Sequence, residues 1–118
     1  MEPSNLKLYI AVREEVPAHM VPVCVAHAVL VADEAYVEHE DLAVRERYSL
    51  WKDLSFKKVV LSVNDKEWRK IKSQVPFTTH SHENTTLNGE PCVLIPVPQW
   101  ENPNVLKFAK MWKPNESK

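Results

Sequence analysis

The sequence predicts an α/β fold: a small mixed sheet covered by helices, in the order β-α-α-β-α-β-β. Two observations carry that prediction. Apolar runs of strand length stand at Leu6–Val12, Val59–Val63 and Cys92–Ile95, and runs of this kind read as buried strands. Between the first two lie two longer stretches with helical spacing, set off by Pro17 and Pro22.

The opening strand is closed by Arg13-Glu14-Glu15. Pro22 suits the first turn of the next helix, where its missing N–H costs nothing. That helix is expected to reach about Tyr36. From Val23 to Ala32 it is apolar nearly all round, which predicts burial against the sheet and other helices. A second helix is expected from about Glu38 to Leu54, with Val44, Tyr48 and Trp51 forming its apolar stripe. Acids at its start and Lys52 at its end match the helix dipole. Val59–Val63 follows as a strand. Asn64 with Glu67 reads as a capping box opening a short helix, with Trp68 and Ile71 on one face. A strand is expected over Thr78–Glu83, then an Asn88-Gly89 turn, then the strand Cys92–Ile95 ended by Pro96. Residues 105–112 fit a strand or a helix equally well.

Composition sets the outer limits. A chain of 118 residues with 44% hydrophobic and 26% charged side chains is expected to form a single domain over residues 1–118. Cys24 and Cys92 are its two cysteines, too few for a disulfide scaffold or a four-cysteine zinc site. One glycine in the whole chain excludes a Gly-rich phosphate loop or dinucleotide fingerprint. The longest near-apolar run, Val21–Ala32, has 12 residues, against the ~20 of a membrane span. The first residues lack the basic flank of a secretory signal. A soluble, cytosolic protein is therefore expected, with no membrane partner. The net charge of −1 hides an asymmetry. Residues 1–56 carry 5 Lys/Arg and 10 Asp/Glu, whereas residues 57–118 carry 10 and 6. Such a basic half suits an anionic partner or is ordinary solvated surface.

Three clusters are candidates for chemistry. His27 is the polar side chain within the apolar helix. Burial would keep it neutral and in need of a hydrogen-bond partner. It is either a structural core histidine or one whose ring opens into a cleft, together with Met20 and Cys24 at i, i+4, i+7 spacing. His80 and His82 are two apart on an expected strand, so they project to one side. Their spacing suits metal ligands, but no further set accompanies them, and no metal is expected. Lys57, Lys58, Lys66, Arg69, Lys70 and Lys72 surround Trp68. That set suits phosphates with a stacked base, or a solvated helix face with Trp68 turned inward.

The order of these features resembles a known family. The strand Lys7–Val12 ends in Arg13-Glu14-Glu15-Val16. A helix bearing His27-Ala28, a second helix and the strand Lys57-Lys58-Val59-Val60-Leu61 follow. Then come Gly89, the strand from Cys92 to Pro98 and a lysine-containing hydrophobic tail. This arrangement resembles the archaeal and eukaryotic, or second, type of peptidyl-tRNA hydrolase over nearly the whole chain. The resemblance implies a four-stranded mixed sheet with helices on both faces, and hydrolysis of the ester joining a peptide to the tRNA 3′ ribose. Aligned through His27-Ala28, Met20 stands at the family's lysine, Cys24 at its glutamine and Glu15-Val16 at its Asp-Leu. Counting back from Gly89 puts His80 at the family's aspartate, with Glu83, Asn84 and Thr85 near its threonine. Arg13 and His27 are the residue types kept, with Thr85 after a one-residue shift.

The expectation that follows is a divergent relative that keeps the fold but lacks most of the family's catalytic residues. Its cleft would be lined by Arg13, His19, Met20, Cys24, His27, His80, His82 and Thr85, and would bind a ligand or macromolecule. The alternative is a rewired ester hydrolase on peptidyl- or aminoacyl-tRNA, with His27 and His80 as its acid and base. Lys57, Lys58, Arg69 and Lys70 would meet tRNA or another phosphate-bearing ligand. No cofactor is expected, and a homodimer is left open.

Overall fold

A computed structural model describes residues 2–84 and 86–114. Its centre is β1 (Lys7–Arg13), whose residues from Leu8 to Val12 are all buried. β1 pairs in parallel with β2 (Lys57–Val63), matching Lys7 to Lys57 through Arg13 to Val63. Its other side pairs antiparallel with β4 (Pro91–Pro96), and β4 pairs antiparallel with β3 (Thr78–His82). The sheet is thus four-stranded and mixed, in the order β2-β1-β4-β3.

Because side chains alternate across a strand, β1 feeds two cores. Leu8, Ile10 and Val12 meet α1 (Val21–Tyr36) and α2 (Leu42–Leu50) through Cys24, Ala28, Ala32, Tyr36, Val44 and Tyr48. Tyr9 and Ala11 meet α3 (Asp65–Gln74) and the single turn α4 (Asn104–Lys107) through Trp68, Ile71 and Leu106. Helices therefore lie on both faces, and the apolar runs of β1 and β4 are continuous for that reason.

Pro22 does lie in the first turn of α1. The helix is not buried all round, however. Val21, Cys24, Ala28, Ala32 and Tyr36 face the core, while Val23 and Leu30 remain 51% and 68% exposed. One sheet face covers one side of a helix, and α2 reaches only part of the remainder. With its preceding turn, the segment Ala18–Tyr36 is long and apolar enough to cross a bilayer by length and composition, more than the 12-residue run suggested. At its far end the Tyr36 hydroxyl donates to the Ile95 carbonyl at 2.7 Å, tying α1 to β4.

α2 begins later than its acids suggest. Asp41 stays extended and its carboxylate accepts the Ala43 and Val44 amides, while its own N–H donates to His39 Nδ1. A wide helical turn over Trp51–Ser55 ends the element at Phe56, whose φ is +62°. The expected stripe of Val44, Tyr48 and Trp51 is buried. Tyr48 donates to Asp33 Oδ1 at 2.7 Å, and Lys52 reaches the same oxygen at 2.9 Å. These bonds, the Tyr48 one first, hold the Asp33 carboxyl below its ordinary range.

The capping box forms as read: Asn64 Oδ1 accepts the Glu67 amide at 2.8 Å, and Glu67 Oε1 accepts the Asn64 amide at 2.9 Å. The tail resolves into both alternatives. After α4, Ser62 N–H donates to the Lys110 carbonyl and Trp112 N–H to the Val60 carbonyl, so Met111 lies opposite Leu61 along the outer edge of β2.

Two measurements check these assignments. Asn64→Ala removes the cap and should lower stability by about 1 kcal/mol in urea unfolding. Tyr48→Phe removes a charge-assisted bond to a partly exposed carboxylate and should cost about 1–2 kcal/mol at neutral pH. Since Asp33 has a depressed folded value, its contribution is present above about pH 4 and lost as pH falls through that value. Tyr48→Phe should therefore lose less stability on acidification than the native chain.

Candidate functional site

The helical period that turns Cys24 and Ala28 to the sheet leaves His27 on the flank of that buried row. His27 is consequently half exposed, and its Nδ1 lies 3.7 Å from Glu83 Oε2. It is not a buried core histidine; it lies about one turn from Cys24 on α1, with Met20 in the turn that precedes the helix. Glu83 is the first residue after β3, and its side chain is only 24% exposed. The contact is an ion-pair distance, longer than a formed hydrogen bond.

Behind the pair the wall is sulfur and hydroxyl. Cys24 and Cys92 are free and fully buried. Burial, and then the neighbouring Cys24 thiol, push the Cys92 thiol up to about 12, although the Glu83 backbone amide favours its thiolate. Both sulfurs are shut off from solvent. Ser81 faces the α1 side of β3, and Thr86 closes the turn after it through Thr86 N–H to the Glu83 carbonyl. Both are buried, and Ser81 Oγ and Thr86 Oγ1 have no hydrogen-bond partner among the described residues. Such groups are uncommon in folded proteins. The turn itself is built from three successive positive φ values, at Leu87, Asn88 and Gly89, where the Asn-Gly signal stood.

Pleat alternation divides the expected cleft. Val12 faces α1, so Arg13 emerges on the α3 face. There its Nε donates to the Pro91 carbonyl at 3.0 Å, its terminal amine meets Asp65 at 3.1 Å, and the guanidinium sits 4.1 Å over the Trp68 ring. Likewise Ser81 pairs with Val93 of the α1-side core, whereas His80 pairs with Leu94 of the α3-side core. His80 thus lies across the sheet from His27, while His82 follows a register shift after Ser81 and stays close enough to His80 to act on its charge. Burial, then Lys72 and His82, push the His80 imidazole below its ordinary value. The common cleft expected for His27, His80, His82 and Arg13 is corrected accordingly.

On the α1 side, His19 is exposed in the turn Ala18–Met20, and Met20 is half-buried against the core. Thr85 lies outside the described residues. The cationic set is also dispersed. Lys57 and Lys58 start β2, where the Lys58 ammonium lies 3.5 Å from the Phe56 ring centroid. Arg69 is bound to Asp65 at 3.1 Å, and Lys70 faces the groove beside α4. Trp68, at 4% exposure, is turned to the core and stacks no ligand. Among the described residues, no three His, Cys, Asp or Glu side chains converge as metal ligands.

Thr86 was not among the expected site residues, and Glu83 entered only beside the family's threonine position. Glu83 and Thr86 stand three apart directly after a strand, and that spacing was the available signal; counting from Gly89 diverted it onto His80. No model of a known protein family matches the chain, and a comparison with curated proteins finds no match either.

The thiol wall is directly checkable. Cys24 and Cys92 should resist iodoacetamide at neutral pH in the folded protein and label fully in denaturant; rapid labelling of the native state would contradict their burial.

Proposed function

We propose that this protein hydrolyses the ester of peptidyl- or aminoacyl-tRNA, as a divergent relative of the second-type peptidyl-tRNA hydrolases. The observation that carries the reading is the His27–Glu83 pair at the rim of α1. The family's chemistry needs a carboxylate near the kept histidine, and Glu83 supplies one where His80 had been expected. Element order and a four-stranded mixed sheet with helices on both faces support the relationship. A tRNA substrate fits a cytoplasmic protein.

In this mechanism Glu83 holds Nδ1–H of His27, leaving Nε2 to take a proton from water. The resulting hydroxide attacks the ester carbonyl carbon. The C–O bond to the ribose then breaks, and the ribose oxygen receives the proton from the imidazolium, releasing the free acyl acid and tRNA.

A second reading is binding without turnover. It is favoured by Met20, which offers no cation where the family has a lysine.

Release of labelled N-acetylaminoacyl group from tRNA separates the two. Turnover should fall by about 10²-fold or more in His27→Ala and in Glu83→Gln, and stay within about twofold in His80→Ala. Turnover lost in His80→Ala but kept in Glu83→Gln would return the role to His80. Intact ester at high protein concentration, with tRNA bound, would establish the binding reading.

A further inference from the structure

A groove of about 390 Å³ runs between α3 and α4, on the sheet face opposite His27 and Glu83. Lys66 and Lys70, one turn apart on α3, line one wall, and Val105 and Phe108 line the other. Phe108 is 78% exposed, unusual for a ring that solvent penalises by roughly 1.5–3 kcal/mol relative to burial. The Lys107 ammonium stands 6.0 Å from its centroid. Among the described residues, Lys66, Lys70 and Lys107 form no ion pair, whereas the neighbouring Arg69 is bound to Asp65. The acidic lining residue, Glu67, is turned back onto the Asn64 amide in the capping box. The groove therefore presents unpaired ammonium groups around a bare aromatic face.

We propose that this groove binds a single-stranded nucleic-acid segment, with one base stacked on Phe108 and the flanking phosphates on Lys66 and Lys70. Charge complementarity selects a polyanion. The exposed ring distinguishes a nucleic acid from an acidic peptide, since each base offers a flat face and a carboxylate side chain offers none. Trp68, embedded in the same basic stretch, is excluded from that stacking by its place under Arg13. The inference stands apart from the hydrolase reading, because the two sites lie on opposite faces of the sheet.

The test is fluorescence anisotropy of a labelled eight-nucleotide oligouridylate titrated with the full chain at several salt concentrations. The double variant Lys66→Gln/Lys70→Gln should bind at least about tenfold more weakly with a shallower salt slope, because phosphate contacts set that slope. Phe108→Ala should weaken binding about tenfold with the slope unchanged, and Phe108→Trp should restore it. Circular dichroism of each variant should match that of the native chain, since the substituted side chains are exposed. Affinity equal to native in both the lysine and Phe108→Ala variants would overturn the proposal. So would competition by oligoglutamate as effective as that by unlabelled RNA, which would identify an acidic-peptide site. His27→Ala should bind the oligonucleotide as the native chain does, even if no ester hydrolysis is found; loss of binding in that variant would place the strand on the other face and overturn the groove.

Discussion

Everything in this molecule depends on a sheet whose central strands are covered on both sides. A strand buried on two faces has no neutral side: each residue is committed to one core or the other, and a shift of a single position exchanges them all. In β1 this places Leu8, Ile10 and Val12 under α1 and α2, and Tyr9 and Ala11 under α3 and α4. The same alternation carries Arg13 and His80 to one side and Ser81 to the other. The chemistry is thereby sorted by odd and even positions before any loop is considered.

Local signals were legible where local physics decides. Pro22 in a first turn, the Asn64–Glu67 cap and the Val44–Tyr48–Trp51 stripe each rest on interactions within about one or two helical turns. The apolar strands announced themselves by length and continuity. What could not be read locally was which side of the sheet a short polar strand would present. β3 is Thr-Thr-His-Ser-His, with no apolar residue to mark its inner face. Its orientation is set by pairing to β4, about fifteen residues away, and by Ser81 meeting the α1-side core. The boundary of α2 was displaced for a related reason. Three acids cluster there, Glu38, Glu40 and Asp41, and the extended Asp41 is the one that caps the helix.

The site was half legible. His27 stood out because a polar ring interrupts an apolar helix, but an apolar sequence does not tell how much of a helix its neighbours cover. α1 is fully buried along one row and only partly covered beside it, and that leaves His27 at the rim where a carboxylate meets it. Glu83 was masked by two histidines immediately before it, which drew attention as a pair. The basic residues illustrate the same point from the other side. Proximity in sequence put Arg69 beside Lys70, yet α3 turns one toward Asp65 and the other toward the α4 groove.

The position of β1 also orders the chain in time. It is made before its antiparallel neighbour, residues 91–96, which lie some eighty positions later. Until that segment pairs, β2 is the one strand partner open to β1, and the other edge of β1 lacks its neighbour. Topologies dominated by such distant pairings fold slowly. The chain is therefore most exposed to misassociation until residues 91–96 have joined the sheet.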